Sequence, residues 1–145
     1  MPNWCENEVD IDGNNEHVKE FLSEFFTPVK EDVYFLDFHK VVPLGLTKND
    51  DGTPGWDYDK ATRAWGTKWD LDNSEDNWFH EFTSTGDKNQ VLYRSVNARF
   101  DTAWGPPEGI YNAMMDWISE KKYEINITWF YKEPAMAVSG WLGHG

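Results

Sequence analysis

From Cys5 to Ile11, the residues Cys5, Asn7, Val9 and Ile11 alternate with Glu6, Glu8 and Asp10. That period of two predicts a strand with one buried face. Gly13, Asn14 and Asn15 then turn the chain, and either asparagine can cap a helix. Val18, Phe21, Leu22, Phe25 and Phe26 follow at i, i+3, i+4, i+7 and i+8, which sets one apolar stripe along that helix; Pro28 is expected to end it. From Val33 to Leu44 the β-branched and aromatic content predicts a second strand, closed by Pro43.

Residues 45–64 are rich in Gly and Pro, and residues 72–89 are polar, so both read as loop insertions within one domain spanning 1–145. Between them Trp65-Gly66-Thr67-Lys68-Trp69-Asp70 reads as a short strand. Residues 90–104 predict a long strand in which Leu92, Val96, Ala98, Phe100 and Trp104 share a parity interrupted by Arg94. Pro106 and Pro107 suit the opening of a second helix. Its stripe is Ile110, Ala113, Met114, Trp117 and Ile118, and Lys121 and Lys122 stand at its C-terminal dipole. Tyr123, Ile125, Ile127, Trp129 and Tyr131 then alternate with Glu124, Asn126, Thr128 and Lys132 as a strand. Glu133-Pro134 turns toward Met136 to Leu142 as a hairpin partner. The order predicts an α+β fold: a split βαβ sandwich, mostly antiparallel, with two helices on one face and a C-terminal hairpin.

Three blocks, Met1-Pro2-Asn3-Trp4-Cys5-Glu6-Asn7, Trp65-Gly66-Thr67-Lys68-Trp69-Asp70 and Thr102-Ala103-Trp104-Gly105-Pro106-Pro107, together resemble the YubB-like family of phage and plasmid proteins. The resemblance runs from end to end of the chain. It implies a ferredoxin-like domain and a mobile-element origin in a bacterial host, and it brings no catalytic residues.

Charge changes the picture of partners. The 145 residues hold 26 acidic and 13 basic side chains, a formal charge of −13. Residues 1–88 carry 20 acids against 8 bases, and residues 89–145 carry 6 against 5. A skew of this kind serves solubility or meets a basic partner. It opposes direct nucleic-acid binding, which draws its affinity from neutralising phosphates. No apolar run approaches the roughly 20 residues of a membrane helix, and the N-terminal residues lack a secretory pattern, so a cytoplasmic protein is expected with no membrane partner.

The chemistry is sparse. Cys5 is the single cysteine and no CxxC pair exists. Glu8-x-Asp10-x-Asp12-Gly13 begins like a calcium loop, but Lys19 stands where the closing Glu belongs; the register from Thr47 through Asn49 and Asp51 closes on Tyr58. His17, His39, His80 and His144 form no ligand pair, and no nucleophile elbow, phosphate loop or dinucleotide fingerprint occurs. No catalytic residue, metal or cofactor is assigned.

Two candidate surfaces remain. One is acidic: Glu6, Glu8 and Asp10 on one strand face, extended by Asp50, Asp51, Asp57, Asp59, Asp70, Asp72, Glu75 and Asp76. The other is aromatic: Trp65, Lys68, Trp69 and Trp104, where paired core tryptophans and a strand-to-helix corner are the competing structural explanation. The function that combines charge and resemblance is a non-enzymatic protein-binding module, a counter-defence inhibitor whose carboxylates occupy the nucleic-acid groove of a basic host enzyme. The alternatives are an assembly or housekeeping protein of the element, and a small-ligand binder or enzyme using the Lys68 region.

Overall fold

The computed structural model describes residues 4–43, 47–48, 54–55, 65–66, 75–85, 91–103, 105–134 and 137–143. Among them, strand β1 (Trp4–Asn14) leads into α1 (Asn15–Phe25), followed by β2 (Phe26–Lys30), β3 (Val33–Leu36) and the single-turn α2 (Phe38–Val41). A two-residue ladder, β4 (Thr47–Lys48) with β5 (Pro54–Gly55), stands apart. A 3-10 turn at Glu75–Asn77 then precedes β6 (Phe79–Thr85), β7 (Val91–Ala103), α3 (Glu108–Lys121), β8 (Ile125–Glu133) and β9 (Val138–Trp141). Seven strands form one antiparallel sheet in the order β2-β3-β6-β7-β1-β8-β9. The chain is α+β, with β1 and β7 near the middle of the sheet.

The alternation read from Cys5 to Ile11 is the alternation of the strand: Cys5, Asn7, Val9 and Ile11 are buried and Glu6, Glu8 and Asp10 are exposed. Asn14 caps α1, its Oδ1 accepting from the Glu16 and His17 amides at 3.0 and 3.2 Å. The α1 stripe buries Val18, Phe21, Leu22 and Phe25 against the inward face of the sheet, and α3 adds Ile110, Tyr111, Met114 and Ile118. Phe21 touches Phe25, Phe26 and Trp117 with ring centroids 5.0–6.1 Å apart, so the two long helices meet through aromatic side chains.

Several expectations are corrected. The helix ends at Phe25, before Pro28, which lies instead in β2 opposite Tyr34. Proline is tolerated there because β2 is an edge strand. The strand expected from Val33 to Leu44 stops at Leu36; Asp37 caps α2 by accepting from the His39 amide at 3.0 Å. Trp65 and Gly66 are not in a strand: Gly66 has φ +88, and an added Cβ would lie 2.7 Å from the Glu108 amide nitrogen.

The largest correction is β6, which occupies residues placed in a polar insertion. Its pattern is inverted: Glu81 is buried and Phe82 is exposed. Arg94, the residue interrupting the parity of β7, explains the inversion. Its guanidinium pairs with Glu81, with only 15% and 3% of the two side chains exposed, and its Nε donates to Asn15 Oδ1 at 2.8 Å. Each charge makes the burial of the other tolerable, so two breaks of the pattern compensate one another in space. Leu92, expected inward, is exposed.

Candidate functional site

Among the described residues, the helices cover one face of the sheet and leave the other open. The strand register lays out that open face in rows: Asp101, Glu6, Lys132 and Ser139; then Arg99, Glu8, Phe130 and Trp141; then His80, Asn97, Asp10 and Thr128; then Phe82, Ser95, Asp12 and Asn126. The β1 acids therefore form a single column, with neighbours about 6.6–6.8 Å apart along the strand. That spread rules the column out as a calcium loop, whose ligands must all reach one ion at about 2.3–2.6 Å. Among the described residues, no group of three His, Cys, Asp or Glu is placed to hold a metal ion.

The column is not uniformly negative. Arg99 pairs with Glu8 at 2.7 Å and Lys132 with Glu6 at 3.5 Å, both cations arriving from flanking strands. Asp10 has neither; Asn97 and Thr128 stand beside it. Partial burial, then the neighbouring Asp12, push the Asp10 carboxyl above the usual range. Asp101 is pushed up likewise, by burial and then by Glu6. Asp12 accepts a 2.8 Å hydrogen bond from the Tyr93 hydroxyl.

A cleft of about 480 Å³ opens over these rows. Its floor includes Glu8, Asp10, Asn97 and Thr128; the 3-10 turn brings Glu75, Asp76 and Trp78 to one side, and Phe130 and Trp141 line it as well. Phe130 and Trp141 touch across β8 and β9 with centroids 5.0 Å apart, and Trp141 remains 51% exposed. Trp78 carries the Lys30 ammonium 5.7 Å from its ring centroid. A smaller depression of about 230 Å³ adjoins it, lined by Glu6, Asp76, Asp101 and Lys132 among others.

The structure thus brings together Glu6, Glu8, Asp10, Glu75 and Asp76. Asp50, Asp51, Asp57, Asp59, Asp70, Asp72, Lys68, Trp69 and Trp104 lie outside the described residues. Trp65 is fully buried, donates its indole N–H to the Val42 carbonyl at 2.9 Å and packs edge-on against Phe38 and His39. It is therefore part of the core. Sequence reasoning missed Trp78, because it lies in the stretch read as a polar insertion, and Phe130 and Trp141, because an aromatic residue at an outward parity reads as noise; it also missed that Arg99 and Lys132 pair with two of the three strand acids.

The other end of the N-terminal block is structural. Asn7 lies buried on the helix-covered face, its Nδ2 within 3.0–3.3 Å of the Cys5 and Phe100 carbonyls and Thr102 Oγ1, and its Oδ1 accepting from the Trp129 indole at 2.9 Å. Thr102 donates onward to the Gly105 carbonyl at 2.6 Å, tying β1, β7, β8 and the approach to α3 together. Burial, then the negative charge of Glu133, push the Cys5 thiol to about 11, which makes it a poor nucleophile.

No helix among the described residues is long and apolar enough to cross a membrane. Comparison with protein-family models, with curated proteins and with solved structures finds no match to this chain.

Proposed function

We propose that this chain is a non-enzymatic binding module that receives a basic protein partner on the open face of its sheet. The observation that carries the reading is the composition of the cleft: four carboxylates, Glu8, Asp10, Glu75 and Asp76, against the His80 imidazole and one guanidinium, Arg99, that is already paired. Such a surface accelerates encounter with a basic surface and selects against acidic ones. Exposed aromatic side chains beside the charge supply the apolar contact area that pairing alone lacks.

The inner strand order β8-β1-β7-β6, with α1 and α3 leading out of β1 and β7, supports reading the fold as ferredoxin-like, extended by β2 and β3 on one edge and β9 on the other. With the YubB-like resemblance, this favours a mobile-element protein whose partner is a basic host protein, a nucleic-acid-binding defence enzyme being one such target. The neutralised Glu6 and Glu8 favour recognition of particular cationic side chains over imitation of a regular phosphate row.

The test is capture from bacterial lysate at low and at high salt, using the parent chain and an Asp10→Lys, Glu75→Lys, Asp76→Lys variant of matched thermal stability. A basic protein held by the parent, shed by salt and lost on charge reversal is the expected result. Equal capture by both chains would overturn the reading.

A further inference from the structure

The open face does not treat its acids alike. Glu8 and Glu6 are engaged by Arg99 and Lys132, and Asp12 accepts from Tyr93. Asp10 lies on the cleft floor with Asn97 and Thr128 on either side, groups that can hydrogen-bond but cannot neutralise it. Along the floor, β1 and β9 are two strand spacings apart, and Trp141 stands one row from Asp10, in the row of Glu8, which sets the two backbone positions about 12 Å apart. From the β9 side Trp141 lines the same cleft with half of its surface exposed. Trp78 carries Lys30 at its ring, whereas Trp141 touches Phe130 and still keeps ring surface open to the cleft.

From this arrangement, and resting on the basic-partner reading above, we infer that the cleft at Asp10 is the seat of one arginine side chain of the partner, its guanidinium paired with the Asp10 carboxylate and its plane laid against Trp141. Charge complementarity selects a cation. The flat aromatic wall selects arginine over lysine, because a guanidinium stacks on a ring while presenting its N–H fork to a carboxylate, and it sheds water more readily than an ammonium. Glu75 and Asp76 at the rim add long-range attraction without fixing geometry. Asn97 and Thr128 hold the carboxylate's surroundings polar, so the seat is not closed by apolar packing in the absence of the partner.

The experiment titrates the isotope-labelled full chain with Nα-acetylarginine amide, Nα-acetyllysine amide and Nα-acetylcitrulline amide, followed by nuclear magnetic resonance. Saturable shifts at the backbone amides of Asp10, Asn97 and Thr128 and at the Trp141 indole are expected for arginine. Binding should be several-fold weaker for lysine and lost for neutral citrulline. Asp10→Asn should weaken the arginine complex about tenfold, and Trp141→Ala about three- to fivefold, with neither variant melting lower than the parent. Shifts centred elsewhere, equal saturation by citrulline, or full affinity in Asp10→Asn would overturn the seat. If the lysate partner is still captured and still shed by salt in Asp10→Asn, the seat falls and the basic-partner reading stands. Capture indifferent to salt and to reversal of all three acids sinks both.

Discussion

The two faces of the sheet are built from alternate residues of the same strands, and they satisfy opposite demands. On the helix-covered face Asn7, a polar residue, has every hydrogen-bonding group engaged within the protein, and Arg94 is met there by both Glu81 and Asn15. On the open face Asp10 sits one residue from Val9, and nothing cationic among the described residues meets it. Burial explains the difference. An unmet polar group under the helices would cost several kcal/mol, whereas water can meet one on the open face at little cost. The open face is consequently where unmatched charge can be kept for a partner.

Four substitutions, one of them with a compensating second change, sharpen or break that contrast. Arg94→Met leaves Glu81 buried without its cation and should destabilise the fold by about 3–5 kcal/mol. Adding Glu81→Leu should recover most of the loss in denaturant titrations; no recovery would mean that the pair is not the cause. Phe21→Ala removes the ring shared by α1, β2 and α3 and should cost about 3–5 kcal/mol by the same measurement. A melting curve barely changed would break the picture of the covered face.

Asn7→Ala strands the Trp129 indole N–H and should cost about 1–3 kcal/mol, read by equilibrium unfolding together with a shifted tryptophan emission. Asp10→Asn is the smallest effect and has the opposite sign. A carboxyl whose pKa is raised on folding favours the folded state below its unfolded pKa, and that contribution is lost as pH rises through the folded value. The ionised Asp10 is then mildly unfavourable at neutral pH, so Asp10→Asn should melt slightly higher there, with the gain vanishing in acid below the ordinary Asp range. A lower melting point at neutral pH would show that Asp10 has a stabilising partner and is not held open.

Where one face was buried by apolar side chains, the elements were legible: β1, the α1 stripe, the α3 stripe and β8 follow from period two or period 3.6 alone. The strand β6 was not, since its inward positions include Glu81 and its outward ones Phe82; only the partner Arg94, contributed by β7, makes that pattern sensible. The short α2 was hidden by β-branched and aromatic composition that suits a strand equally well. Of the candidate site, the common side of Glu6, Glu8 and Asp10 was readable from parity. Their unequal state was not, because Arg99 and Lys132 reach them across strands that are distant in the chain.

The sequence by itself determined which side of β1 faces water, because alternation with a period of two leaves no choice once Val9 and Ile11 are buried. It also determined the net negative charge of that side of the strand. Only the tertiary structure decided which of those charges are met. Register aligns Glu8 with Arg99 and Glu6 with Lys132, places Asn97 and Thr128 beside Asp10, and brings the 3-10 turn over the same rows. Electrostatic pairing depends on separations of a few ångströms between residues far apart in the chain, and that proximity is created by strand order and register.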